Sequence, residues 1–548
     1  MNYGATMSRP SAGLYLIFLL LILGVQAALL LGKGVLLIDQ HEGDALHVLD
    51  IALRMGAGEK PHLDFMTPLG FLSFAPIAGF LAAGLGLGLS VKLGSLLFAG
   101  LLTPAIFWVG LTRLSGALAY FFGAFVIILA TALVYGGADQ VASVSMFYNR
   151  WAWAVAFVIL PLVILPTHGL SSEVIDGIII GAGLAFLALA KITFFLAFLP
   201  ALLVGLMLRG QIRSLGVGVI TGLVVIGLVT LNTGLDFWLA YLGDLKTIAA
   251  APIRSAPGAN LITMLVGPTF LAANICLLAA VILIRQSGQQ IEGLVLMLAA
   301  PGFIYVTYQN WGNDPKWLVL LVILMLSLRP HRHLNNGFGW DISRSLNAVA
   351  LVSLALVLPT ILSLSFSTLR HARLDVADFA RPFEISAGRD IMMRRDRLYA
   401  PAKRFGIEFD APKLRAEAEA AGVDPKDVVL FGQKLAACKI EMGLIGLLHQ
   451  LSEQVAEFPE TMGKSVALAD TFSPLWLFGK TVPVPQGSPW FYGDMSIYHR
   501  ADFVLIPACP VTYQARSLVV DYLNNADNLN FEMLTQNDDF ILLRRLPD

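Results

Sequence analysis

The sequence predicts a polytopic α-helical membrane protein with a soluble domain after its last membrane helix. Of its 548 residues, 57% are hydrophobic and only 14% are charged, whereas soluble proteins carry about 25% charged residues. Apolar runs of about 20 residues, the length that crosses a bilayer, recur as far as residue 366. Charged and turn-forming residues become frequent beyond that point. The net charge of −1 argues against nucleic acid as a partner.

The membrane domain is predicted to cover residues 1–367. Its first run, residues 13–31, is interpreted as a retained helix, because no small-residue cleavage site precedes the following loop. Further apolar runs bring the expected number of transmembrane helices to about 12. They cover residues 69–89, 91–111, 114–135, 151–166, 174–190, 192–208, 215–231, 261–284, 291–308, 317–328 and 346–366.

Basic residues in the short loops predict the orientation of the helices. Arg209, Arg213, Arg285 and the basic cluster at 329–333 are expected on the cytoplasmic side, where Lys and Arg are retained. The loops at 232–259 and 310–316, the first loop at 33–68 and the domain after the last helix then lie outside. The number of crossings between residues 69 and 208 stays open, because one segment there could be broken or re-entrant.

The soluble domain, residues 368–548, is predicted to be an α/β or α+β extracytoplasmic domain. Helical patterns cover 411–421 and 427–452, and strand-like runs cover 466–469, 503–507 and 540–543. The three cysteines, Cys276, Cys438 and Cys509, have no metal-like spacing. Cys438 and Cys509 could form a disulfide in an oxidising compartment, or they could be buried apart.

The loop between the first two apolar runs concentrates charge in a chain that otherwise avoids it. A helix is predicted over 43–55, with an apolar stripe beside a polar face, and Gly56, Gly58 and Pro61 end it. Such a helix can lie flat in the membrane interface, although a solvated amphipathic connector is the alternative. The charged residues of the loop are Asp39, His41, Glu42, Asp44, His47, Asp50, Arg54, Glu59, Lys60, His62 and Asp64.

The order of motifs in this loop resembles the GT-C glycosyltransferases that use polyprenyl-phosphate sugars, such as the aminoarabinose and protein mannosyl transferases. The matching elements are Glu42-Gly43-Asp44, Arg54-Met55, Gly58-Glu59-Lys60-Pro61, Asp64-Phe65 and Pro68-Leu69-Gly70. Counting back from Arg54-Met55, the resemblance implies that Asp44 is the catalytic carboxylate. Matching the family's Asp-Glu-Gly form implies Glu42 instead, with His41 where Asp is usual.

The resemblance also suggests which residues bind substrate. Asn149, Arg150 and Lys191 stand where the family brings a cation towards the donor phosphate, although Lys191 could simply reach the membrane interface. Polar and aromatic residues at 308–317 suit sugar hydroxyls and sugar rings, although such a segment could also be an interfacial turn. The expected substrate-binding residues are Asp39, His47, Asp64, Asn149, Arg150, Lys191, Asn310, Asn313, Asp314 and Lys316.

The implied function is transfer of a sugar from a polyprenyl-phosphate donor to an envelope glycan, lipid or protein acceptor. The expected location is the extracytoplasmic face of a bacterial inner membrane. No cofactor is certain, although Mg²⁺ or Mn²⁺ held near His41, His47 and His62 is possible. A transporter or lipid flippase, and an O-antigen polymerase or ligase, are the alternative functions. A transporter is expected to show paired mid-membrane charges in two related halves, which the sequence does not contain.

Overall fold

A computed structural model describes residues 9–251, 260–309, 314–330, 332–399, 428–438, 442–526 and 530–546, with Ala416 and Ala420 between. Sixteen α-helices lie among the described residues up to residue 373. They are α1 Ala12–Leu31, α2 Glu42–Gly56, α3 Ala75–Ala82, α4 Leu87–Arg113, α5 Gly116–Thr131, α6 Phe147–Ile164, α7 Glu173–Ala190, α8 Ile192–Leu208, α9 Ile212–Thr233, α10 Asp236–Ala250, α11 Leu261–Val266, α12 Pro268–Gln286, α13 Gln290–Gln309, α14 Trp317–Ser327, α15 Ile342–Ser365 and α16 Ser367–Arg373.

Eight of the described helices are long and apolar enough to cross a membrane, namely α1, α4, α6, α7, α9, α12, α13 and α15. Three shorter apolar helices, α5, α8 and α14, accompany them. Helix α6 is buried along almost its whole length, whereas α1 and α9 expose most of their apolar side chains. A helix that is apolar all round and remains exposed is stable where lipid surrounds it. The chain is therefore a polytopic helical membrane protein.

Two predicted membrane spans are broken in the structure. Residues 69–89 form a 3-10 turn, Phe71–Ser73, followed by α3 with only eight residues. Gly84 has a left-handed backbone, φ +85°, before α4 begins at Leu87. The prediction of a span at 69–89 is therefore wrong, and this is the broken segment that the sequence left open. The predicted span at 261–284 is interrupted at Gly267, because Pro268 begins a new helix.

The ends of the helices form two separate groups of polar contacts. At one end, the Arg113 guanidinium binds Asp176 at 2.5 Å and the Arg209 guanidinium binds Glu292 at 2.9 Å. At the other end, Lys191 donates to Asn149 at 2.7 Å and Ser145 donates to Asp44 at 2.6 Å. We call the second end the site end. The first loop and the elements after α15 lie there.

Two short strands after α16 hold the first loop. Strand β1, Leu36–Ile38, pairs in parallel with β3, Ile391–Arg394, and β2, Phe379–Ala380, pairs antiparallel on the other side of β3. The carboxylate of Asp390 accepts hydrogen bonds from the backbone N–H groups of Gly88 and Leu89 at 2.9 and 2.8 Å. These N–H groups have no partner within α4, so a residue 300 positions away caps this helix.

The chain after β3 contains four helices and six further strands among the described residues. A four-stranded sheet has the order β6-β7-β9-β8, in which β6 and β7 are parallel and the other pairs are antiparallel. The elements are α17 Arg395–Tyr399, β4 Val429–Leu430, β5 Gln433–Lys434, α18 Leu444–Ala456, β6 Val466–Leu468, α19 Ile497–Arg500, β7 Phe503–Pro507, α20 Tyr513–Asn525, β8 Phe531–Gln536 and β9 Phe540–Arg545.

The sheet confirms the three predicted strands, which are β6, β7 and β9. Strand β8 was not predicted. The helix predicted over 427–452 is wrong in its first half, where β4 and β5 form a hairpin whose turn has left-handed Phe431 and Gly432. The pattern at 411–421 lies outside the described residues except Ala416 and Ala420. Cys438 and Cys509 are joined by a disulfide, with their Cα atoms 4.7 Å apart.

Helix α2 is packed on both sides rather than solvated. The side chains of Leu46, Leu49 and Leu53 are between 1 and 8% exposed. One side of α2 lies against α3, and the other lies against the chain between β6 and α19. Phe472 is so close to Gly43 that a Cβ atom there would lie 2.7 Å from the end of the phenyl ring. The solvated-connector alternative is therefore wrong.

Candidate functional site

Asp44 lies in the first turn of α2, at the site end of the helices. Its half-buried carboxylate accepts a hydrogen bond from the Ser145 hydroxyl at 2.6 Å. Burial raises the pKa of Asp44 above the ordinary aspartate value, although the Ser145 hydrogen bond and the nearby His41 oppose this shift. A carboxylate with a raised pKa is a stronger base than an ordinary one.

Arg150 fixes the loop that presents Ser145. Its buried guanidinium donates to the backbone carbonyls of Ala132 at 2.9 Å, Val134, and Ser145 at 3.0 Å. These carbonyls follow the end of α5 and precede α6, so a single cation closes the loop between two helices. Met146, with φ +58°, makes the turn into α6. The sequence predicted Arg150 as a phosphate ligand, but most of its hydrogen-bonding capacity is used by this loop.

A narrow cleft opens next to this loop. Two cationic side chains, Arg150 and Lys316, and one carboxylate, Asp314, face it. Burial lowers the pKa of Lys316 to about 8. The positive charge of Arg150 contributes to this shift, and the negative charge of Asp314 partly opposes it. Asp314 is held by a hydrogen bond from the Thr360 hydroxyl. The lining residues are Tyr135, Met146, Asn149, Arg150, Trp153, Thr307, Asp314 and Lys316.

Asn149 and Lys191 extend the cleft towards α7 and α8. Lys191 occupies the break between these two helices and donates to the Asn149 side-chain carbonyl at 2.7 Å. Its ammonium also lies 5.2 Å from the centre of the Tyr148 ring. Lys191 is therefore at a helix end rather than inside an apolar span, and it belongs to the same group of contacts as the cleft.

Asp44 lies beside the cleft without lining it. Ser145, its hydrogen-bond partner, immediately precedes the lining residue Met146. Burial, together with the charges of Asp44 and Asp139, raises the pKa of Tyr135 to about 12, and Tyr135 lines the cleft and stacks on His41 at 4.4 Å. The structure thus brings together Asp44, Asn149, Arg150, Lys191, Asp314 and Lys316.

Three other carboxylates predicted for the site have contacts elsewhere, and two of them attach the loop to the C-terminal elements. Glu42 forms two hydrogen bonds with the Arg397 guanidinium, at 2.5 and 3.0 Å. Asp39 forms an ion pair with Arg394 at 2.8 Å. Asp64 accepts from the backbone N–H of Lys60 at 2.7 Å and does not line the cleft. The structure therefore gives these three carboxylates partners away from the cleft.

His47 was predicted to bind substrate, but it faces the chain after β6 and does not line the cleft. Its ring lies 5.5 Å from that of Trp490, and its buried Nε2 atom has no hydrogen-bond partner in the described part of the chain. Burial lowers the pKa of His47 to about 4. One turn further along α2, Asp50 accepts from the Trp476 indole at 2.8 Å, and burial raises its pKa to about 6.

The three histidines considered for a metal contact different residues. His41 stacks on Tyr135, His47 packs on Trp490, and His62 binds Asp244 at 2.8 Å. Among the described residues, no three His, Cys, Asp or Glu side chains are placed to hold a metal ion together. Asn310 and Asn313, which were predicted to bind the sugar, lie outside the described residues.

Four residues of these contacts were not predicted from the sequence, namely Ser145, Tyr135, Arg394 and Arg397. Ser143 and Ser145 lie at 136–146, a polar gap between two apolar runs. Such a gap at a helix end could have indicated a functional site. The basic run 394–397 is complementary to the acidic residues 39–44, although nothing in the sequence shows that they meet.

The arrangement combines a half-buried base with a cleft that has cationic side chains. Such a pair can deprotonate a hydroxyl and neutralise a leaving phosphate in one displacement. No family model matches the chain, and no curated protein matches it either.

Proposed function

We propose that this protein is a GT-C-like membrane glycosyltransferase. It transfers a sugar from a polyprenyl-phosphate donor to an acceptor hydroxyl on an envelope glycan, lipid or protein. The observation that supports this most is the link from Asp44 through Ser145 to the cleft with Arg150 and Lys316. A base and a phosphate-binding cation on one side of the membrane are what a single displacement needs.

In this proposal Asp44 is the base, and it removes the proton from the acceptor hydroxyl. The hydroxyl oxygen forms a bond with the anomeric carbon while the bond from that carbon to the phosphate oxygen breaks. The lipid phosphate leaves with both bonding electrons, and the configuration inverts. Lys316 neutralises the leaving phosphate, because Arg150 is already bound to backbone carbonyls.

Eleven crossings, by the eight long and three shorter apolar helices, give a consistent topology. With α1 entering from the cytoplasm, Arg113, Arg209, Arg285 and Arg329 all lie on the cytoplasmic side, as basic residues prefer. The site end is then periplasmic in a bacterial inner membrane, together with the residues after α15. The residues from 368 onward form the soluble domain of this proposal.

The transporter alternative is less well supported by the contacts. Its paired charges are expected near the middle of the membrane. The buried pair Arg113–Asp176 joins the last residue of α4 to the first turn of α7, so it lies at helix ends.

The decisive experiment compares Asp44→Asn with Glu42→Gln. Transfer from synthetic polyprenyl-phosphate sugars is measured in membranes as release of the lipid phosphate. We expect Asp44→Asn to lower the rate at least 100-fold, the usual contribution of a general base, with thermal stability unchanged. Glu42→Gln is the matched control, and we expect it to retain activity because Glu42 serves the Arg397 ion pair. Normal transfer by Asp44→Asn contradicts the assignment, and an inactive Glu42→Gln beside it favours Glu42.

A further inference from the structure

A second cleft lies between the turn after β6 and the segment that leads into α19. It opens at the carboxyl end of β6, which is parallel to β7. Ligands of α/β sheets commonly bind outside the carboxyl ends of parallel strands. The lining residues are Leu468, Asp470, Thr471, Ser473, Ser488, Phe491, Tyr492, Asp494, Ile497 and Tyr498.

The lining of this cleft has the chemistry that recognises sugar hydroxyls. It contains two carboxylates, three aliphatic hydroxyl groups and three aromatic rings, and none of its residues is Lys, Arg or His. Carboxylates and hydroxyls bind sugar hydroxyl groups, and aromatic rings pack on the apolar face of a sugar ring. Anionic ligands are disfavoured by Asp470 and Asp494. The first cleft differs, because Arg150 and Lys316 line it.

Backbone contacts fix the two carboxylates in position. Asp470 accepts hydrogen bonds from the backbone N–H groups of Val511 and Thr512, at 2.5 and 2.9 Å. Asp494 accepts from the N–H and the hydroxyl of Ser496, at 2.9 and 2.8 Å. A carboxylate has about four lone-pair sites, so Asp494 can still accept from a ligand. Pre-organised acceptors of this kind reduce the entropic cost of binding.

The walls of the second cleft also contact the helix that carries Asp44. Phe472, between Thr471 and Ser473, packs on Gly43, and its ring centre lies 4.7 Å from that of Trp490. Trp490 in turn packs on His47. A single layer of aromatic side chains therefore separates the second cleft from α2.

We propose that the second cleft binds a neutral, hydroxyl-rich sugar of the acceptor. This inference rests on the proposed glycosyltransferase function and assigns the acceptor to the C-terminal elements. The cationic cleft then receives the donor phosphate, and the uncharged sugar binds on the other side of α2.

The test measures sugar binding directly and needs no transfer. Full-length protein in a detergent without a sugar headgroup is titrated with neutral methyl glycosides of hexoses and pentoses, and with methyl glucuronide. Binding is followed by saturation-transfer NMR. The variants are Asp494→Asn and Phe491→Leu, and the matched control is Asp521→Asn, an exposed position on α20. Equal thermal midpoints identify the variants that fold normally.

We expect at least one neutral glycoside to bind, and each variant of the cleft to weaken it at least tenfold while Asp521→Asn does not. Methyl glucuronide is expected to bind at least tenfold more weakly than its neutral counterpart. The proposal is overturned if no glycoside binds, if glucuronide binds equally well, or if both cleft variants bind normally. Variant-sensitive binding in a protein that transfers no sugar supports the cleft and contradicts the proposed function alone.

Discussion

At the scale of single residues, two carboxylates two positions apart have different surroundings. Glu42 faces the Arg397 guanidinium and forms two hydrogen bonds with it. Among the described residues, the Ser145 hydroxyl is the side-chain donor to Asp44, and burial raises the pKa of Asp44. The guanidinium of Arg397 occupies both carboxylate oxygens of Glu42. The contacts therefore favour Asp44 for proton abstraction, a choice that the sequence motif alone left open.

The pH dependence of transfer should report Asp44 and Lys316. Asp44 must be deprotonated, so kcat/KM should fall as the pH drops through its raised pKa, which lies above 3.8. Lys316 must be protonated, so kcat/KM should fall again as the pH rises above about 8. A bell-shaped profile of kcat/KM reports such groups in the free enzyme. We expect Lys316→Arg to remove the alkaline limb, because arginine stays protonated. An unchanged alkaline limb contradicts the role of Lys316.

Arg150 and Lys316 should respond differently to substitution. Lys316→Ala should raise the KM for the donor at least tenfold and leave the thermal midpoint nearly unchanged. Arg150→Ala leaves carbonyls of three residues without their donor, and an unsatisfied buried polar group costs about 1–3 kcal/mol. We therefore expect Arg150→Ala to lower the thermal midpoint, measured by differential scanning fluorimetry. Equal stability of the two variants would show that Arg150 does not hold the loop.

At the scale of elements, α2 depends on contacts from both the membrane helices and the C-terminal chain. One side of α2 contacts Phe472, Trp476 and Trp490, and the other side contacts α3. The hydrophobic core is continuous from the membrane helices through α2 into α18 and β7. The position of Asp44 is therefore determined by packing between two parts of the chain that are distant in sequence.

Gly43→Ala tests this packing. The new Cβ atom would meet the Phe472 ring at 2.7 Å, and overpacking of this kind typically costs about 1–3 kcal/mol. We expect a lower thermal midpoint and slower transfer. Adding Phe472→Leu should restore part of the lost thermal stability and part of the lost transfer rate, because the smaller side chain makes room for the new Cβ atom. Gly34→Ala is the control, since a Cβ atom there meets nothing within 4 Å. A Gly43→Ala variant as stable as the control contradicts the close packing of α2.

The sequence predicted elements well where a local pattern decides them. The helix over 43–55 and strands β6, β7 and β9 are confirmed with small changes in their ends. Composition could not show that the chain turns twice within residues 69–89 instead of crossing the membrane. Hydropathy indicates which residues avoid water, but it does not indicate the direction in which the chain runs. The pairing of β1 with β3 and the contact from Ser145 to Asp44 link residues 100 or more positions apart. Such pairings depend on tertiary packing.

At the scale of the whole molecule, the break at 69–89 decides the number of crossings. If these residues spanned the membrane, α4 would begin on the opposite side of the membrane from the first loop. In the structure, Asp390 caps α4 and lies beside β3, which pairs with β1 of the first loop. The start of α4 is therefore on the same side as the first loop. With the eleven crossings proposed above, the four basic residues Arg113, Arg209, Arg285 and Arg329 share one side.

Cysteine labelling in intact cells tests this arrangement. Background labelling should be low, because Cys276 is buried and Cys438 is bonded to Cys509. Ala83→Cys, an exposed position between α3 and α4, should react with an impermeant maleimide from outside. Asn335→Cys, exposed between α14 and α15, should react only after the membrane is permeabilised. If Ala83→Cys does not react in intact cells, residues 69–89 cross the membrane. That result would also place Asp44 and the start of α4 on opposite sides, which the contacts of Asp390 do not allow.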